Sequence, residues 1–255
     1  MPPRAPSPLA RSSFASPSIQ RSALALSALA VAVVALTGCS APVAHPSATP
    51  TVVASLAPSG DGTLRIGTLF PMTGETSASG AAQVAGTELA LREITEQGGV
   101  PGIAIELVHR NSAGNPATAL ADLVARGVDV VLWDAGDAAP QEVTAGAADA
   151  GVALLQLSGF ANGGTPLAAD DAFAARLKTA DPGLAETAGG GEAYDGVIVT
   201  ALAATAARDD GGRSIGPAID RVSSGVQVCA SWGECAAWLA ETHEIAYEGI
   251  TGRRS

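Results

Sequence analysis

Two rhythms of apolar and polar positions alternate along this chain. Short apolar runs occur at residues 64–70 (LRIGTLF), 103–108 (IAIELV), 128–133 (VDVVLW) and 152–157 (VALLQL). Runs of that length, rich in Val, Ile and Leu and bounded by turn residues, predict strands. Between the first two, Ala82, Ala85, Leu89 and Ile94 recur at helical spacing among Glu88, Arg92, Glu93 and Glu96. Asn115-Pro116 opens a second helix through Arg126, since Asn caps well and Pro suits the first helical position. Gly127 closes that helix, and Gly151 closes a third over 140–150. Strand and helix in strict alternation predict right-handed crossovers, hence an α/β fold with a doubly wound parallel sheet.

After Ser158 the rhythm changes. Residues 160–167 read as a Gly-rich loop, and helices are predicted over 170–179, 192–208, 214–222 and 231–241. The segment 192–208 (EAYDGVIVTALAATAAR) is long and strongly apolar, and only 226–228 has the look of a strand. The second part of the chain is therefore expected to be mainly helical.

The N-terminus reads as an address. Arg4, Arg11 and Arg21 precede an apolar segment at 22–36, which is short for a membrane-spanning helix. It ends in Leu36-Thr37-Gly38-Cys39, which resembles the lipobox of bacterial lipoproteins and implies lipidation of Cys39. A plain secretory signal with a chance cysteine is the alternative. Residues 40–62, rich in Pro, Ser, Ala and Thr, read as a flexible tether.

Cysteine and charge fit export. With Cys39 lipidated, Cys229 and Cys235 remain as a pair, and an oxidising compartment makes a disulfide the default. The same spacing occurs in metal sites, but no histidine lies near enough to complete one, so neither metal nor cofactor is expected. The formal charge is −11, and residues 1–38 hold three arginines and no acid, so the remainder is more acidic still. That disfavours nucleic acid as a partner. No G-x-S-x-G, P-loop, H-E-x-x-H or strand-following G-x-G-x-x-G occurs, which argues against an enzyme. His109, at a strand end, reads as a satisfied rim residue.

In an open parallel sheet, ligands lie beyond the carboxyl ends of the strands. Phe70, Trp133 and Phe160 fall at or just past three such ends, with Asp134, Asp137 and Ser158 beside them. The loop 71–80 after the first strand is a further candidate wall. Two readings stand: a pocket mouth, or ordinary packing of large residues at a sheet rim.

Several motifs in order resemble the type I periplasmic substrate-binding proteins, in particular the branched-chain amino acid (Leu/Ile/Val) group of ABC importers. They are LRIGTLFPMTG at 64–74, the helix to Glu96 with GGVPG at 98–102, NPATA at 115–119 and GVDVV at 127–131. More loosely, EAYD at 192–195 and Cys229, Cys235 and IAYEGITG at 245–252 are similar to late segments of actinobacterial members. The resemblance implies a two-lobed clamp that delivers a small solute to a membrane permease. It places ligand contacts at Ser79 and Gly80, at Trp133, Asp134, Ala135, Gly136 and Asp137, and at Ser158, Gly159 and Phe160. The expected organisation is a lipoprotein signal at 1–38, a tether at 39–62, a first α/β lobe at 63–158 and a reduced, mainly helical second lobe at 159–255. The chain departs from the family in that shortness and in two carboxylates, Asp134 and Asp137, where a ligand carboxylate would be held. Like charges there disfavour a branched-chain amino acid and favour a solute with an amine or hydroxyls. A surface lipoprotein that kept the first lobe without supporting transport is the alternative.

Overall fold

The computed structural model describes residues 59–160, 167–241 and 243–254. The leader, Cys39 and the tether up to residue 58 lie outside the described residues, as does the loop at 161–166. Four strands, β1 (Thr63–Phe70), β2 (Ala104–Asn111), β3 (Val130–Trp133) and β4 (Ala153–Gln156), form a parallel sheet in the order β2-β1-β3-β4. Helices α1 (Ser77–Glu96), α2 (Pro116–Ala125) and α3 (Gln141–Ala150) make the crossovers. All seven elements fall where the apolar rhythm predicts them, within a few residues at each end.

The alternation of side chains along β1 explains why the sheet is wound on both faces. Leu64, Ile66 and Phe70 belong to one apolar cluster with α1, while Leu69 belongs to another with Leu120 and Leu123 of α2 and Val143 of α3. Each face of a buried parallel sheet needs such a cover. The Asn115 side chain accepts from the Thr118 amide as the α2 cap, with Pro116 in the first turn.

A 3-10 turn (Leu157–Gly159) precedes the undescribed loop. Four helices follow: α4 (Asp171–Ala180), α5 (Gly190–Ala207), α6 (Gly212–Ser224) and α7 (Trp232–Ala240). A small second sheet of β5 (Gln227–Cys229), β6 (Ile245–Gly249) and β7 (Gly252–Arg253) is interleaved with them, with β5 parallel and β7 antiparallel to β6. The sequence pattern missed β6: its run IAYEG holds only three apolar residues and a charge, too short for an alternation signal.

Residues 167–254 share the core of the first sheet. Val197, Ile198, Ala201 and Leu202 of α5, Ile215 and Val222 of α6 and Trp232 of α7 join Leu64, Ile66, Leu89 and Leu132 in one cluster. Helix α5 is buried nearly all round, as its uniform apolarity requires. It crosses α1 with backbones in close approach: a Cβ on Gly86 would lie 2.1 Å from the Gly190 carbonyl oxygen.

Polar groups fix the second sheet to this core. The buried Asp195 carboxylate of α5 accepts from the Tyr247 hydroxyl (2.7 Å), the Ile250 and Thr251 amides (3.0 and 2.8 Å) and the Thr251 hydroxyl (2.6 Å). Cys229 and Cys235 are joined in a disulfide across the start of α7. Among the described residues, no helix is long and apolar enough to cross a membrane.

Candidate functional site

Helix α1 leaves β1 on one face of the sheet and α3 leaves β3 on the other, so a crevice opens between the carboxyl ends of β1 and β3. A cleft of 790 Å³ occupies that position. Pro71, Thr76 and Ser79 form one wall, Trp133, Asp134, Gly136 and Asp137 another, and Ser112, Pro116, Pro140 and Ala188 close the sides.

Five of the residues expected to contact a ligand meet here: Ser79, Trp133, Asp134, Gly136 and Asp137. The others lie elsewhere. Gly80 is buried, and a Cβ on it would fall 1.9 Å from the Pro71 carbonyl oxygen, so its role is to let α1 start hard against the strand exit. Ala135 is fully buried, and Phe160 is 3% exposed within the main core. Ser158 and Gly159 sit half-buried in the 3-10 turn, outside the cleft lining.

Side chains that gave no signal in the sequence shape the cleft. Gln83, fully buried in α1, donates from Nε2 to Asp134 Oδ1 (2.6 Å) and accepts the Ala135 amide at Oε1 (3.0 Å). Apolar periodicity passes over such a residue, because its burial is bought by hydrogen bonds rather than by an apolar surface. Asn111 accepts the Met72 and Ala113 amides and donates to the Thr73 hydroxyl, tying the loop after β1 to the end of β2. Gln156 accepts the Ala139 amide and steadies the loop after β3 from β4.

Two expected ligand groups are partly committed inside the protein. The Ser79 hydroxyl donates to the Ala188 carbonyl (3.1 Å) and accepts a long bond from Gln83 Nε2 (3.5 Å), which leaves one lone pair toward the cleft. The Trp133 indole donates to the Asp137 carbonyl (2.8 Å), and the residue is 5% exposed, so little of the ring is open to the cleft. Asp134 accepts the Gly136 amide as well as Gln83. The Asp137 carboxylate has no hydrogen bond or ion pair among the described residues. The cleft thus presents acceptors and negative charge, framed by prolines.

Nearby charge is handled differently. Glu192, at the start of α5, accepts the Leu167 amide at Oε1, while its buried Oε2 has no partner among the described residues. Burial pushes its carboxyl above the ordinary range, with Asp195 adding to the effect. His109 bonds Thr68 through Nδ1 and Glu88 through Nε2, so it is a satisfied residue at the strand end, away from the cleft. No group of three or more His, Cys, Asp or Glu among the described residues is arranged to hold a metal.

Residues 63–166 match the family model for periplasmic binding proteins. The fold is that of the type I periplasmic binding proteins. The chain superposes with a TM-score of 0.54 on the branched-chain amino acid transporter substrate-binding protein LivJ of Streptococcus pneumoniae, solved in complex with isoleucine. Identity is 15%, over 76% of this chain and 91% of that one. A putative branched-chain amino acid ABC transporter protein from Silicibacter pomeroyi gives 0.46 at 13% identity, over 65% and 84% of the two chains. No curated protein sequence matches.

Proposed function

We propose that this chain is a lipid-anchored, extracytoplasmic solute-binding protein of an ABC importer, taking a small cationic or polyhydroxyl solute in the cleft at the carboxyl ends of the strands. The observation that carries this reading is the crevice at the point where the winding reverses, lined by Asp134, Asp137 and the acceptor side of Ser79. A ligand that brings N–H or O–H donors completes those acceptors, whereas a lone carboxylate meets like charge. The family match over residues 63–166 supports the class, and the lipobox at Cys39 supports the anchor. Partners on this reading are the solute, a membrane permease and the membrane itself through the lipid.

The test is a thermal-shift panel of amino acids, polyamines and sugars. A ligand present at about 100 times its dissociation constant adds about 2.7 kcal/mol of stability. Diamines or arginine should raise the melting temperature, and Asp134→Asn with Asp137→Asn should abolish that shift. If leucine, isoleucine or valine instead gives the full shift in the unaltered protein, the acidic loop has been misread. For the anchor, Cys39→Ser should move the protein from the detergent phase to the aqueous phase.

A second reading rests on a separate observation. Residues 167–254 complete the core of the sheet at 63–156 rather than standing apart from it. We infer that the described chain is one lobe, and that a surface lipoprotein with a sensory role, kept without transport, is the alternative. Co-purification with a permease from the native membrane separates the two: retention of a permease speaks for import, and its absence with solute binding intact speaks for sensing.

A further inference from the structure

A recess of 280 Å³ opens at the amino ends of β3 and β4, at the far end of the sheet from the cleft. It lies between the turn from α2 into β3 and the turn from α3 into β4, with the start of α6 as a third wall. Val124, Val128 and Val152 make its walls apolar. Val124 and Val152 pack against the cluster that α2 and α3 build on the sheet, yet both stay only half-buried.

The recess offers a ligand no net charge. It is bordered by one acid, Asp129, and one base, Arg213. Asp129 already accepts the Arg65 amide (2.9 Å). Arg213 lies over the turn after α3, since a Cβ on Gly151 would fall 2.8 Å from its Nε.

Ser59, where the description of the chain begins, is part of the wall. Its position is fixed from two sides. Asp209 accepts its amide (3.1 Å), and its hydroxyl stands where a side chain at Gly211 would be, 2.0 Å from a Cβ built there. The chain that precedes Ser59 therefore departs from the edge of the recess.

That preceding chain carries a matching side chain. Residues 40–58 hold four large aliphatic side chains, Val43, Val52, Val53 and Leu56, and Leu56 is the largest and the nearest to Ser59. Pro58 fixes its own φ and biases Ala57 toward extended backbone, which gives Leu56 a reach of about 10 Å from Ser59. A leucine gains nothing in a solvated linker, whereas burial in an apolar recess is favourable. The volume selects the same occupant: pockets for free ligands run from about 300 to about 1,000 Å³, and this one suits one or two aliphatic side chains.

We propose that residues 53–58 dock back on the domain, with the Leu56 side chain seated in this recess against Val124, Val128 and Val152. The last part of the tether then belongs to the folded body, and the free linker is shorter by those residues. Where the lipid anchor of the proposed function holds, the amino ends of β3 and β4 face the membrane and the cleft faces away from it. The docking itself depends neither on the anchor nor on the solute.

The experiment follows amide hydrogen exchange in the full chain carrying Cys39→Ser. The Leu56 and Ala57 amides should exchange at least about tenfold more slowly than a free chain, while residues 44–49 exchange as a free chain does. Leu56→Ser should return both amides to free-chain rates, and Leu56→Met should keep them protected. Ala150→Phe, at an exposed position of α3 on the recess wall, should fill the space and release them too. Slow exchange of the β3 amides reports that the fold stands in each variant. Leu56→Ser, outside the core, decides alone where Ala150→Phe does not fold. Free-chain exchange at Leu56 and Ala57 in the parent overturns the proposal, as does protection that survives either Leu56→Ser or a folded Ala150→Phe. Protection that fades on dilution assigns the recess to the tether of a second copy and overturns it as well.

Discussion

Each end of the sheet carries a pair of aspartates, and the two pairs differ in who supplies their donors. At the amino ends, Asp209 and Asp210 follow α5 and grip the chain as it enters β1, accepting five successive backbone amides from Ser59 to Thr63. At the carboxyl ends, Asp134 is steadied by Gln83 and Gly136, and Asp137 has no side-chain partner among the described residues. The same residue type is a fastener where the protein provides the N–H groups, and on the proposed function it is a binding group at Asp137, where the described residues provide none. Burial follows: Asp209 and Asp210 are buried, whereas Asp137 is exposed.

The contrast breaks most visibly at Asp210. Asp210→Ala strands the amides of Asp61, Gly62 and Thr63, and should cost about 3 kcal/mol in urea unfolding. A loss below about 1 kcal/mol would mean that water replaces the carboxylate and that the grip is incidental.

Next in size is the disulfide. The Cys229→Ala, Cys235→Ala double variant, or reduction of the native protein, should cost about 2 kcal/mol, since the closed loop is short. The melting curve with and without reductant reads this directly, and the carboxyl-end cleft should bind solute as before.

A third measurement sharpens the picture of the amino end as crowded with acid. Asp129 accepts the Arg65 amide, yet burial, reinforced by Asp210 and Asp61, raises its pKa to about 6. The folded protein therefore holds this proton more tightly than the unfolded chain does. The stability contribution is complete below about pH 4 and is lost as pH rises through about 6. Asp129→Asn keeps an acceptor for Arg65 and removes the charge. It should be about 1 kcal/mol more stable than the parent at pH 7.5 and no more stable at pH 4. Equal gains at both values would point to packing rather than charge.

The smallest change in stability should come from the other end. Asp134→Asn with Asp137→Asn should shift unfolding by no more than about 0.5 kcal/mol, because neither carboxylate fastens backbone from another element. The same variant should lose the thermal shift given by a cationic solute. A large destabilisation would assign this pair to the fasteners as well.

The sequence disclosed these two ends unequally. The first sheet was legible because its strands and crossover helices each follow one apolar period, and the cleft followed from where strands end. Trp133, Asp134 and Asp137 were visible as unusual residues at a strand exit. Gln83 was not, since a polar residue one position off the apolar face of α1 looks solvated until its partner 51 residues away is placed. Asp209 and Asp210 gave no signal for the same reason: their partners lie about 150 residues earlier. The apolarity of 192–208 was plain, but its destination was not, because an all-round apolar helix says only that it is covered and not by what.

That destination has a kinetic meaning. The face of the sheet that α1 occupies is finished only by α5, which joins it across some hundred residues of chain, and the Gly86–Gly190 crossing admits no side chain in between. Contacts of such long range form late, after their loop-closure entropy has been met. A nascent chain that has reached only Phe160 has four strands and three helices in hand and an uncovered apolar face. It should fail to fold cooperatively until residue 207 is available, so folding of the first sheet waits for a helix that is made long after its last strand.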